Sequence, residues 1–281
     1  MGRRNEGPKP HLTGRVATMK SKAVHPVEML REYATALEAA MTVALAKPRK
    51  PAVHSLRALV RRLESQIELL TQLDALSADD EKTEELHRQL AKLRRAAGQV
   101  RDLDVQREML KAHRSLPQRA ASKLRGELKD VREAKARKLQ AVLKKQLPRV
   151  AGLIEQVVQS AGVANGLVLP DLRLVPLVER WTRTQEEMAP IEQLDDQQLH
   201  DVRKSAKSAR YMMENAVGSK ARHAAAHYHA LQQAGGYWHD WADLRDTARE
   251  HFGKKHRLTR AAAKNCKSAR TRYVKLLSKS R

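Results

Sequence analysis

From Pro26 to the C-terminus apolar residues recur at helical spacing, and nowhere do β-branched residues alternate as a strand would require. Aromatic residues make up 3% of the chain, with a single Phe, so the core must be built from small aliphatic side chains. Such a core suits packed helices better than a sheet sandwich. Hydrophobic residues are 41%, an ordinary globular share that argues against wholesale disorder. The 281 residues suffice for one large domain or two of moderate size. The expected fold is all-α.

Punctuation along the chain sets the expected elements. Residues 1–25 carry Gly, Pro, Lys and Arg without apolar periodicity and are expected to form a flexible basic tail. Helices are predicted at Pro26–Ala46, Pro51–Leu73 and Ser77–Ala97, the last with an acidic start and a stop at Gly98. Asp102 is expected to open a shorter helix to His113, Pro117 a long charged one to Gln146, and Pro148 another to Gln159. Residues 160–175 then break the pattern with Gly, Asn and Pro. Beyond them, helices are expected at Pro176–Met188, from Pro190 to Val217, at Ser219–Ala234 with a Gly235-Gly236 stop, from Tyr237 to Gly253, and from Leu258 to Ser278. The organisation expected is a first unit over about 26–160, a linker at 161–175 and a second unit over about 176–281.

The two units repeat each other in outline. VHSLRALVRRL (53–63) aligns with LHDVRKSAKSA (199–209), placing His54 on His200, Arg57 on Arg203 and Arg61 on Lys207. LRRAAGQVRDLD (93–104) aligns with LQQAGGYWHDWA (231–242), placing Gly98 on Gly236 and Asp102 on Asp240. Two motif pairs in the same order argue for a duplicated helical unit.

The formal net charge is +23, from 55 Lys and Arg against 32 Asp and Glu, which calls for a polyanionic partner. At 100° per residue the motif helices separate that charge from the apolar stripe. Leu56, Leu59, Val60, Leu63 and Ile67 share one side of the first, with His54, Arg57 and Arg61 opposite. In the second, Val202, Ala206, Ala209 and Met213 oppose His200, Arg203, Lys204, Lys207 and Arg210. These basic rows are nearly free of acids until Glu64 and Glu214, whereas a merely solvated face mixes signs. Arg88, Lys92 and Arg95 form a similar row opposite Leu86, Leu90 and Leu93, as do Arg260, Lys264 and Lys267 opposite Leu258, Ala262 and Ala269.

A helix with His-x-x-Arg-x-x-x-Arg-Arg, followed by a basic helix ending in Gly-x-x-Arg-Asp-x-Asp, resembles the CHAD family, the conserved histidine α-helical domains. The likeness runs from about Pro26 to the C-terminus. It implies two bundles of about four to five helices each, related by a pseudo-two-fold axis around a basic groove or pore. It also implies binding of inorganic polyphosphate, through His54, Arg57, Arg61 and Arg62 of the first motif and His200, Arg203, Lys204, Lys207 and Arg210 of the second. Arg88, Lys92, Arg95, Lys264 and Lys267 are further candidates from the adjoining basic rows. His239 stands where Arg101 does, and Ala226, Ala230 and Gln233 replace Arg88, Lys92 and Arg95, so the groove is expected to be asymmetric. The Glu-x-Glu-x-Lys signature of the triphosphate-tunnel domains fused to some family members does not occur here.

Polyphosphate is a flexible anion with no bases to stack, so a site for it needs many donors and few rings. Arg grips two oxygens at once, Lys supplies a mobile charge and His a switchable one. Single-stranded nucleic acids usually meet interleaved aromatics, and Tyr211 alone sits in the basic rows. Trp238, Trp241 and Tyr237 read as core packing. Non-specific nucleic-acid binding is the alternative partner class, through backbone contacts alone.

Other residues read as structural. His223 and His227, with His229 nearby, have helical metal-ligand spacing but lack further ligands, so no metal or other cofactor is expected. Asp102, Asp104, Asp240 and Asp243 read as helix caps or salt bridges to the basic rows, and Cys266 as a small core residue. No nucleophile–base order or phosphate loop is visible, so the chain is expected to bind rather than catalyse. Without a signal core or a run of about 18 apolar residues, the expected place is the cytoplasm, with association to polyphosphate granules implied by the family likeness.

Overall fold

The computed structural model describes residues 25–77, 79–185, 191–214 and 218–279. The expected basic tail thus lies outside the described residues apart from His25, as does Pro190. The described residues form α1 (Pro26–Ala46), α2 (Lys50–Gln72), α3 (Glu81–Ala112), α4 (Gln118–Ala161), α5 (Asp171–Gln185), α6 (Asp196–Met213), α7 (Ser219–Phe252) and α8 (Arg257–Ser278). Two short 3₁₀ turns, Gly162–Ala164 and Ile191–Gln193, complete them, with no strand among the described residues.

Where a helix end is set locally, the expected boundary holds within a few residues. Pro occupies the first turn of α1 and α2, where its missing N–H is no loss. The Asp80 carboxylate caps α3 by accepting from Thr83 N at 3.0 Å. At α6 the boundary moves: Asp195 and Gln198 form a reciprocal capping box that starts the helix at Asp196 rather than near Pro190.

Four expected breaks do not occur. Gly98 lies inside α3, so Asp102 opens no new helix, and Gly235-Gly236 lies inside α7. A helical glycine costs only about 1 kcal/mol relative to Ala, and here each gap is filled by a neighbour. A Cβ on Gly98 would stand 2.5 Å from Arg57 Nη1, and one on Gly235 would stand 2.8 Å from the Tyr273 ring and 3.0 Å from Arg203 Cγ. Pro148 lies inside α4. It forfeits one backbone bond, but it is exposed, while Leu143 and Val150 on either side are fully buried. Pro176 likewise sits within α5, which starts at Asp171 rather than at the proline.

The apolar stripes close into two cores. One joins α1, α2, most of α3 and the C-terminal part of α4, including Leu37, Leu56, Leu63, Leu90 and Leu143. The other joins α5–α8 around Trp241, Tyr273 and Met212. Leu69, Met109, Leu110, Leu116, Ala121, Leu124 and Leu128 belong to this second core although they come from α2, α3, the α3–α4 turn and α4. Thus α4 runs through both. Between the cores, α2 packs directly on α6 and α3 on α7, which brings the two His-x-x-Arg helices side by side.

Candidate functional site

On α2, burial of Leu56, Val60, Leu63 and Ile67 turns Arg57 and Arg61 toward α6. On α6, burial of Val202, Ala206 and Ala209 turns Arg203 and Lys207 toward α2. Four cations from two distant segments therefore share one partly buried cluster. Arg61 Nε and Arg203 Nε are buried there without a hydrogen-bond partner among the described residues. An unpaired buried donor is costly, and it is what an anion would satisfy.

The crowding shows in the titration of the groups. Burial, then the charges of Arg61, Arg57, Arg203 and Arg210, push Lys207 from 10.5 down to about 7. Burial also brings Arg61 down to about 10, helped by Arg94, Arg57 and Arg203 against the opposing pull of Glu64. Burial and then Arg203 and Lys204 hold His200 at about 4; burial and then Arg203 and His200 hold His239 at about 3. His54, at the exposed edge, is lowered by partial desolvation and by Arg101, Lys207, Lys50 and Arg57. His200 Nδ1 accepts from Arg203 Nη2 at 3.3 Å, and its ring lies 4.8 Å from that of His239.

Carboxylates form the opposite margin. Asp102 and Asp240 lie within α3 and α7 and cap neither helix; of the two, Asp102 takes the expected salt bridge, while Asp240 is drawn by the charges of Arg203 and Arg101 without an ion pair among the described residues. Asp102 reaches Arg57 at a loose 3.9 Å, while Asp104 meets Arg132 of α4 at 3.0 Å. Asp243, 3.5 Å from His239, is raised to about 7 by burial and by Asp102 and Asp240. Burial raises Asp102 and Asp240 as well, against the pull of Arg57 and Arg203. The arginines are thus anchored without being neutralised.

The remaining expected site residues separate. Arg62 donates to Glu214 at 3.0 Å, Arg210 lies 3.6 Å from the same carboxylate, and Tyr33 donates to it at 3.3 Å. The Tyr211 ring lies between the two guanidiniums, 5.3 Å from Arg62 and 4.3 Å from Arg210. Glu214 therefore holds these two arginines in a tie between α1, α2 and α6. Lys204 pairs with Asp201 of its own helix. Arg88 pairs with Glu84 and Glu85, and Lys92 and Arg95 stand exposed on α3. Lys264 and Lys267 are exposed on α8, opposite buried Ala262, Cys266 and Ala269.

Sequence reasoning missed Arg94, Arg101 and His239 as members of the cluster. Arg94 lies beside Arg61 and pairs with Glu64 at 3.1 Å. His239 was legible only as a replacement for Arg101. The expected match of Gly98 with Gly236 is also shifted by one: Gly235 is the glycine that receives Arg203, while a Cβ on Gly236 would meet nothing.

The CHAD domain family model matches residues 28–249. The chain belongs to the CHAD family. Its fold is similar to the crystal structure of the CHAD domain from the plant Ricinus communis. That likeness has a TM-score of 0.61 at 17% identity and covers 97% of this chain and 92% of the plant one. PptA from Streptomyces chartreusis matches with a TM-score of 0.47 at 16% identity, over 92% of this chain and 96% of that one. No curated protein sequence matches. In this CHAD chain the rings of Trp238, Trp241 and Tyr211 are buried, as is Cys266, whereas Tyr237, expected in the core with the two tryptophans, is 44% exposed. His223 and His227 line an open cavity of about 500 Å³ with Glu179 and Tyr228, and no metal-binding group occurs among the described residues.

Proposed function

We propose that this chain binds inorganic polyphosphate in the cluster between α2 and α6, as a binding module rather than an enzyme. The observation that carries the reading is the partly buried group of Arg57, Arg61, Arg203 and Lys207, with the Nε donors of Arg61 and Arg203 unpaired. A phosphate chain supplies the acceptors and the negative charge that this group lacks. The family likeness points to the same ligand. Burial of Trp238, Trp241 and Tyr211 puts those rings out of reach of bases and leaves Tyr237 as the one exposed Phe, Tyr or Trp ring among the described residues, which favours polyphosphate over single-stranded nucleic acid.

Competition binding tests the reading at about 0.15 M salt, where exposed charges are screened over roughly 8 Å. Long-chain polyphosphate should displace a labelled ligand more effectively than DNA does, and phosphate release from the same mixture should stay at background. Better displacement by DNA, or steady hydrolysis, overturns it. Arg57→Glu with Arg203→Glu should abolish polyphosphate binding while the helical circular dichroism is kept; retained affinity would move the site elsewhere. No helix among the described residues is long and apolar enough to cross a membrane. A fluorescent fusion should gather on polyphosphate granules in cells; a fusion spread evenly through granule-bearing cells overturns that part of the reading.

A further inference from the structure

Beyond the cluster, the packed pair α3 and α4 presents a second basic surface. The two helices run antiparallel, since Asp104 meets Arg132 at 3.0 Å near one end and Glu85 meets Arg149 at the other. Most of the span between those ties carries no acid: none occurs from Leu86 to Arg101, and none from Ala134 to Ile154. Exposed helices ordinarily alternate signs to form i,i+4 pairs, and like charges at that spacing cost stability. Here Arg88 precedes Lys92 by four residues, and Lys145 precedes Arg149 by four.

The cations share one edge of the pair. At 100° per residue, Arg88, Lys92 and Arg95 fall within a sector of about 60° on α3, and Lys138, Lys145 and Arg149 within about 40° on α4. All six are exposed. Glu85 contacts both Arg88 and Arg149, so the two rows adjoin. Lys92, Arg95, Lys138 and Lys145 are in no ion pair among the described residues. The strip also reaches the cluster: Arg95 is one turn from Gly98, against which the Arg57 guanidinium lies. From Gly98 to Arg88 the α3 row runs for about 15 Å. No Phe, Tyr or Trp occurs in either acid-free stretch, so nothing here would stack on a base.

We propose that this α3–α4 strip is a second track, which holds the part of a long polyphosphate chain that emerges from the cluster between α2 and α6. The proposal rests on the reading of that cluster as a polyphosphate site. The cluster grips a few phosphates of a chain of any length, and the strip adds contacts that only a long chain can reach. The strip therefore sets a preference for long chains.

The test compares tripolyphosphate with chains of about 100 phosphates on the full-length protein, by calorimetry across a salt series. The strip variant is Lys92→Gln/Lys138→Gln/Lys145→Gln. Its charge-matched control is Lys220→Gln/Lys254→Gln/Lys275→Gln, which neutralises exposed lysines elsewhere. The strip variant should bind the long chain about tenfold more weakly, as three exposed ionic contacts would give. Its plot of log affinity against log salt should be shallower by about two, on the single-strand scale of counterion release. Tripolyphosphate affinity should stay within about twofold, and the control should match wild type. Equal losses for both chain lengths, no loss for the long chain, or an equal loss in the control overturns the strip. If Arg57→Glu/Arg203→Glu then still abolishes both ligands, the cluster reading stands without it. If wild type binds neither ligand, both readings fall.

Discussion

Replacing Lys207 by methionine should stabilise the folded chain, and the gain should shrink as pH rises. In the cluster, burial and four arginines hold Lys207 at about 7, against 10.5 for an ordinary lysine. Each unit of displacement corresponds to about 1.4 kcal/mol, so the native state carries a charge penalty of up to about 5 kcal/mol below pH 7. Between the two values the unfolded chain holds a proton that the folded chain has released. Stability of the wild type therefore rises with pH through that window and levels off above 10.5. Methionine has similar length and no charge, so it removes both the penalty and this dependence. Urea denaturation at pH 6, 7.5 and 9 measures it. Lys207→Met should be more stable at pH 6, and its advantage should fall by about 2 kcal/mol between pH 7.5 and 9. An advantage that does not change with pH, or a variant less stable at pH 6, would refute the argument that the cluster holds a desolvated ammonium.

Polyphosphate entering the cluster should return Lys207 toward the ordinary lysine range, so binding at pH 8 should take up close to one proton and weaken as pH rises from 7 to 9. Calorimetry in buffers of different ionisation enthalpy reads the uptake, and proton release would contradict it. Gly98→Ala and Gly235→Ala should part company in thermal melts. At Gly98 the atom in the way is the end of the flexible Arg57 side chain, so stability should hold while polyphosphate affinity drops several-fold. At Gly235 the obstacle is the buried Tyr273 ring, and overpacking should cost about 1–3 kcal/mol. Glu214→Gln should loosen the tie to Arg62, Arg210 and Tyr33 and lower denaturant stability by about 1 kcal/mol, whereas an unchanged midpoint would show the tie to be idle.

Legibility in the sequence followed the range of each interaction. The ends of α1, α2 and α8, and the acidic start of α3, were readable because caps and first-turn prolines act within a few residues. Gly98, Gly235-Gly236, Pro148 and Pro176 misled for the complementary reason. Their local cost is a few kcal/mol at most, and at the two glycines that receive a side chain partners distant in sequence outweighed it. Gly98 is filled by Arg57 of α2 and Gly235 by Tyr273 of α8.

The amino-acid order alone determined the helical class, the duplicated motif and the separation of cations from the apolar stripe, since the repeat is written in the residues themselves and the other two follow from the 3.6-residue turn. It did not determine where each cation ends up. Arg57, Arg61, Arg203 and Lys207 converge because α2 packs on α6, while Arg62 and Arg210, on the same helices, are drawn to Glu214. Arg88 stays with Glu84 and Glu85 on the outer edge, and Asp102 and Asp240 face arginines rather than helix ends. Electrostatic partners are chosen across helices, at distances set by the packing of two cores. Only the tertiary structure contains those distances.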